Sequence, residues 1–320
     1  MLYCYTITMI NVSRSLPDIA VLRGGNKHFK TSLAEGEEVL SSLEKIGYKP
    51  LDVLIEGDGT WTVKGLQTDA HHVFSRAHTI VDTTRSKGEK YHKLAKEMGI
   101  PLLFSRANDM TLDKEDVYRL LRQQGIKVPE TNVIRSSATL NGEVFRNIWT
   151  TFHTPLMVRP LVRNIKAPTK MIKLFTDLEE VIRSYHDMGL DVQVLTYKKV
   201  PSSSIAILPN FRGERLYTPL WVETFAGIND IPNNSSPMRA HMNAPIYRKE
   251  QIKKFAEEVY DALGLSGPAC IDIIPDNENY TVVHVETEPS LRKDSRFMQS
   301  LETTGVDIGQ YIHSYIQKEL

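Results

Sequence analysis

Two apolar, strand-like runs near the end of the chain each finish on a carboxylate. Residues 269–272 close on Asp272, and the run through Val285 closes on Glu286, Thr287 and Glu288. Between them, residues 275–279 are turn formers, so the segment predicts a hairpin. Strand alternation points Glu286 and Glu288 the same way, and pairing would bring both to Asp272. Three carboxylates in one place repel one another unless a cation sits among them. A hard cation with oxygen ligands suits them, above all Mg²⁺ carrying a nucleotide phosphate. The competing reading is a solvated strand end with ordinary acids, and the segment alone fits both.

At 320 residues the chain has room for two or three packed domains. Its 39 basic and 39 acidic residues cancel, so no global field draws it to nucleic acid or anionic lipid. Neither partner is expected. Cys4 and Cys270 lie far apart and make no metal-binding pair, which suits a reducing cytoplasm. No apolar run has the length to span a bilayer. The first ten residues are apolar but lack a basic flank, and read as an extension rather than a signal peptide.

Along the chain, strands are expected at 18–22, 51–55 and 61–63, and helices at 32–46 and 87–98. Alternation of this kind predicts an open α/β domain over residues 15–107. A helix within 111–128, strands at 131–134, 156–160, 171–175 and 192–197, and helices at 143–152 and 178–188 predict a small α+β unit over 108–200. Strands at 203–208 and 215–222, a long helix at 248–263 and the terminal hairpin predict a third, α+β domain over 201–320. Asn141-Gly142 is a hairpin-turn signal set directly before a helical pattern. Residues 228–243, rich in Asn, Pro and Ser, predict a mobile loop.

The residues after Pro289 narrow the choice. Ser290, Leu291, Arg292, Lys293, Asp294, Ser295 and Arg296, then Gly305 and a C-terminal amphipathic helix, resemble the end of the D-alanine–D-alanine ligases, members of the ATP-grasp superfamily. That family carries Glu-x-Asn-Thr-x-Pro-Gly and a Ser-Leu pair six residues after the proline, where Ser295 stands. The resemblance extends back through Gly99-Ile100-Pro101, Lys114 and Gly125 to Gly24-Gly25. It implies an ATP-grasp fold, small-molecule carboxylate and amine substrates, and ATP with Mg²⁺. A homodimer is an open option.

The resemblance also implies roles. Lys114 and Arg159 would hold ATP, Arg159 standing where the family has a lysine; a guanidinium binds phosphate with different geometry. The backbone from Leu195 to Tyr197 would meet the adenine edge, although Leu195 and Thr196 stand where acids are usual. Asp272, Glu286 and Glu288 would hold the metal. Arg292 and Ser295 would meet substrate carboxylate, and Ser32 the first amino acid. Counting back from Pro289 without a gap places His284 and Glu286 on the metal positions; a two-residue deletion places Glu286 and Glu288 there, and is preferred because magnesium favours oxygen.

Three departures stand out. The phosphate flap expected after Arg159 contains no glycine: Arg163, Lys166 and Lys170 offer charge, or simply a solvated basic hairpin, but not a backbone cradle. Cys270 replaces an arginine that the family uses on its tetrahedral intermediate. No glutamate lies in 26–31, where the family has one. The chain thus reads as an ATP-dependent carboxylate–amine ligase acting through an acyl phosphate, or as a catalytically impaired ATP-grasp protein that binds or regulates. No Gly-x-x-x-x-Gly-Lys loop, His-Glu-x-x-His or Gly-x-Ser-x-Gly elbow supports another class. His71-His72 is an isolated pair on this reading.

Overall fold

The computed structural model describes residues 18–26, 28–85, 90–104, 114–161, 168–197, 200–224, 238–276 and 279–319. The N-terminal extension lies outside them. The first apolar run becomes β1 (Ile19–Gly24), followed by α1 (Phe29–Lys45), β2 (Leu51–Ile55), β3 (Trp61–Val63), β4 (Leu66–Thr68), α2 (Ala70–Phe74), β5 (Thr79–Asp82), α3 (Lys90–Glu97) and β6 (Leu102–Leu103). These strands form one sheet in the order β4-β3-β2-β1-β5-β6. β1 runs parallel to β2 and β5 at its centre, and all four residues of β5 are buried. Gly24 ends β1 at φ +93, and a Cβ there would stand 2.2 Å from the Ile55 carbonyl oxygen, so this turn requires glycine.

The second sheet follows α4 (Lys114–Gln123). It contains β7 (Thr131–Ile134), β8 (Leu156–Pro160), β9 (Lys170–Ile172) and β10 (Val192–Thr196), in the order β7-β10-β8-β9. Helices α5 (Gly142–Thr151) and α6 (Phe175–Asp187) pack on it through Phe145, Ile148, Leu178 and Ile182. Asn141 makes no hairpin turn. Its side chain accepts the Glu143 and Val144 N–H groups at 3.1 and 3.0 Å and so caps α5.

The third sheet holds β11 (Ser202–Phe211), β12 (Glu214–Tyr217), β13 (Val222–Thr224), β14 (Met238–Ala240), β15 (Ala269–Asp276) and β16 (Asn279–Glu286), covered by α7 (Ile246–Ala262), α8 (Arg296–Glu302) and α9 (Ile308–Glu319). The single strand expected at 215–222 is two strands. Pro219 falls between them, and β13 pairs with the start of β11 while β12 pairs with its far end. Part of the expected loop at 228–243 is β14, paired to β13; residues 225–237 lie outside the described residues.

One hydrophobic cluster joins Val21, Val39 and Leu43 to Leu208, Phe297, Leu301 and Ile312. The C-terminal helix α9 thereby packs against α1, with Tyr48 Oη and His313 Nδ1 2.7 Å apart. Among the described residues, no helix is long and apolar enough to cross a membrane.

Candidate functional site

The β15–β16 hairpin sets the first wall. Cys270 pairs with Glu286, and Asp272 with His284. Directly opposed residues share a sheet face, so Cys270, Asp272, His284 and Glu286 project from one side. A register shift at Asp272/Ile273 lies beside them, where bulges commonly re-aim side chains. β16 ends at Glu286, so alternation does not carry to Glu288, which sits half-buried in the bend beyond. The strand residues opposite Asp272 and Cys270 are those of the gap-free count, not the preferred Glu286–Glu288 pair. Among the described residues, no group of three His, Cys, Asp or Glu side chains is placed to hold a metal.

Two acids remain on the face. Asp272 is 3 % exposed; Arg296 Nη1 donates to its Oδ2, and its Oδ1 is buried without a partner among the described residues. A buried carboxylate oxygen left unsatisfied is costly, and a cation there would satisfy it. Magnesium is commonly held by one or two carboxylates together with substrate phosphates, so Asp272 and Glu286 fit that ion. Burial pushes the Glu286 carboxyl above its usual range, with help from Asp272 and Glu35 and against the pull of Arg296 and Arg85. Burial, aided by Asp272, likewise lifts the Cys270 thiol well above its usual value, so it stays neutral.

Arg159 lies on β8, 6 % exposed. Its Nε donates to Gln193 Oε1 at 2.8 Å and its Nη2 to the Tyr118 hydroxyl at 3.1 Å. Tyr118 in turn donates to the Val283 carbonyl at 2.7 Å. One phenol thus ties α4 and β8 to the hairpin strand that carries His284 and Glu286. Gln193 also donates to Glu115 at 2.9 Å. Burial works against the charge of Glu115, yet hydrogen bonds from Arg122, Thr131 and Gln193 outweigh it and lower its pKa.

Lys114 begins α4 and donates to the Pro160 carbonyl at 3.2 Å, which brings it to the same end of β8 as Arg159. Lys170 is exposed at the start of β9, and Lys166, with Arg163, lies outside the described residues. Leu195 is in register with Thr131 on one side and Met157 on the other, well inside the sheet. The Tyr197 N–H donates to the Pro155 carbonyl at 2.8 Å. Any backbone edge for an adenine therefore starts after Thr196, not at Leu195.

The N-terminal sheet contributes the second wall. Ser32 is fully buried, and its hydroxyl accepts the Gly24 N–H at 2.8 Å, so it shapes the β1–α1 turn rather than facing a cleft. Glu35, one helical turn on and 1 % exposed, receives Arg85 Nε and Nη2 at 2.8 and 2.7 Å. It also receives the Ser290 hydroxyl at 2.5 Å and the Leu291 N–H at 3.2 Å. Arg85 sits in the left-handed region at φ 56, where its loop turns back toward Glu35. Burial opposes its charge, but its bonds to Glu35 and its attraction to Glu35 and Glu286 raise its pKa. Ser295 caps α8: it accepts the Met298 N–H at 3.2 Å and donates to the Ser290 carbonyl at 2.6 Å. Arg292 forks onto Asp294 at 3.0 and 2.7 Å.

Comparison with known proteins identifies the family and the fold. The family described as "D-ala D-ala ligase C-terminus" matches residues 120–317. The chain belongs to that family. It is 23 % identical over 308 residues to a D-alanine–D-alanine ligase of Desulforudis audaxviator, across 93 % of this chain and 97 % of the relative. A D-alanine–D-alanine ligase of Francisella philomiragia is also 23 % identical, over 310 residues, covering 94 % and 97 %. Among solved structures, the Coxiella burnetii D-alanine–D-alanine ligase superposes with a TM-score of 0.75 at 15 % identity, covering 95 % of this chain and 93 % of that one. The Bacillus anthracis enzyme complexed with ATP gives 0.70 at 17 % identity, covering 94 % and 97 %. The fold is accordingly the α/β ATP-grasp architecture of the D-alanine–D-alanine ligases.

In this ligase-family chain Arg159 and Lys114 stand at one end of β8, while Asp272 and Glu286 share a face of the β15–β16 hairpin. Ser32 and Ser295 are drawn into the scaffold. Four residues of the site escape a reading of motifs: Glu35, Arg85, Tyr118 and Arg296. Glu35 had a signal, being a carboxylate on the apolar face of α1 with Ser32, Gly36 and Val39. Arg296 follows Ser295 directly, where the family has leucine, but its reach to Asp272 needs the fold.

Proposed function

We propose that this protein is an ATP-dependent carboxylate–amine ligase, activating a small-molecule carboxylate as an acyl phosphate that an amine then attacks. The observation that carries the reading is the single sheet face holding Asp272, with its unpartnered buried oxygen, beside Glu286. Asp272 and Glu286 would hold Mg²⁺, which when bound neutralises nucleotide phosphate charge. Lys114 and Arg159 would hold the nucleotide, with Lys170 and Lys166 as further cations for its phosphates. With the partition 15–107, 108–200 and 201–320, the nucleotide would lie between the second and third units, and a cytoplasmic setting agrees with two cysteines so far apart in sequence. Calorimetry with ATP, with and without Mg²⁺, tests this. Binding should strengthen with Mg²⁺ in the parent, and Asp272→Asn should lose that Mg²⁺ dependence while keeping its fold. A parent indifferent to ATP sinks the reading.

A second reading has its own support. Ser32, Ser295 and Arg292, the residues expected to meet amino-acid substrates, are all held in internal contacts. That favours an ATP-grasp protein that binds nucleotide in a binding or regulatory role without ligation. ATP binding without phosphate release, whichever amino acids are supplied, would establish it.

A further inference from the structure

We infer that Arg296 is the residue that grips the terminal phosphate of the nucleotide in this site. The inference rests on the ATP-binding reading above. Arg296 is the first residue of α8, and the Ser295 cap fixes where that helix begins. Its guanidinium stands on the face shared by Cys270, Asp272 and Glu286, and acts electrostatically on all three. The side chain keeps 17 % exposure.

A guanidinium carries five N–H donors in a rigid fork. Among the described residues, Asp272 is the sole hydrogen-bond acceptor for Arg296, through Nη1. Two other largely buried arginines are committed further. Arg85 spends Nε and Nη2 on Glu35, and Arg159 spends the same two groups on Gln193 and Tyr118. Arg296 therefore has the most open fork, held beside the two acids that suit a phosphate-bound cation.

A purely structural pair would look different. Buried ion pairs hold up only when their remaining donors and lone pairs are also hydrogen-bonded. Here Asp272 Oδ1 is orphaned and most of the Arg296 fork is unmatched. The pair is half-satisfied on both sides, and phosphate oxygens on the fork would complete the arginine's half. Strand β15 supplies no cation of its own, since Cys270 stands at its neighbouring position on this face. A positioned arginine also meets phosphoryl charge as it develops, without reorganisation.

The test compares ATP with AMP, which lacks the terminal phosphates, by calorimetry on the full chain. Arg296→Met should bind AMP like the parent and lose about ten- to a hundredfold in ATP affinity, the size of a charge-assisted contact. Arg296→Lys, which keeps the charge but not the fork, should fall between. Unchanged ATP affinity in Arg296→Met overturns the inference, as does an equal loss for both nucleotides, which marks a structural role. If Arg296→Met fails to fold by circular dichroism, Arg296→Lys decides by the same ATP-to-AMP comparison. A parent that binds neither nucleotide sinks the ligase reading and this inference together. A parent that binds ATP beside an unaffected Arg296→Met sinks the inference alone.

Discussion

Tyr118 shows how a single hydroxyl holds two lobes in register. It accepts from Arg159 and donates to Val283, with its ring 2 % exposed. Tyr118→Phe would leave a buried carbonyl and a buried guanidinium N–H without a partner. A loss of about 1–3 kcal/mol in unfolding free energy is expected from such orphaned groups, read by urea denaturation; a variant as stable as the parent would mean water replaces the phenol. Tyr118 was legible only as an apolar position of a helix, because nothing in sequence says where a phenol ends. Glu286 was legible from its place at a strand end, whereas β15 runs on past Asp272 to Asp276. Glu288 lies past the point where β16 stops, so strand alternation does not orient it. Arg296 was hidden because its partner is 24 positions away in sequence.

At the scale of elements, long apolar runs spoke clearly. β1, β2, β8 and β10 fall where their β-branched and leucine-rich runs predict, and α6, α7 and α9 where apolar spacing does. β5 went unread because it is four residues long and ends on Asp82, whose buried carboxylate receives Thr84 Oγ1 at 2.7 Å and lies 3.0 Å from His92 Nε2. Local polarity concealed a central strand. A comparable carboxylate joins β7 to β10. Asp191 accepts the Ser136 N–H at 2.7 Å and Arg135 Nη1 at 2.8 Å. The backbone bond first, then Arg135, lowers its pKa to about 2. A depressed carboxylate pKa means stability that is present above the unfolded value and lost as pH falls through the folded one. Thermal melts should therefore place Asp191→Asn below the parent at neutral pH, by a modest margin because the pair is partly solvated. The gap should close between about pH 4 and pH 2, near the ordinary and the lowered values. A gap that persists unchanged to the acid end would assign the effect to packing instead.

At the scale of the whole molecule the three sheets are tied pairwise: Tyr118 joins α4 and β8 to β16, and Glu35, held by Arg85, joins the first sheet to Ser290 and Leu291 beyond β16. On the ligase reading proposed above, the chain lacks two usual sources of stabilisation. Residues 162–170 contain no glycine, so backbone amides are poorly suited to closing on phosphate there. Position 270 holds a neutral thiol. Loss of one preorganised donor typically costs about a hundred- to a thousandfold in rate, and Arg296 offsets one such loss at most. With ATP, Mg²⁺ and D-alanine, we therefore expect phosphate release and D-alanyl-D-alanine formation far below the range of about 1–1000 s⁻¹ usual for enzymes, even if ATP binds. Cys270→Arg should leave the rate low, because the new guanidinium would enter a fully packed position beside Arg296 and the flap would be unchanged. Robust dipeptide formation by the parent would refute this, and would mean that Arg163, Lys166 and Lys170 achieve by side-chain charge what a glycine flap achieves by backbone.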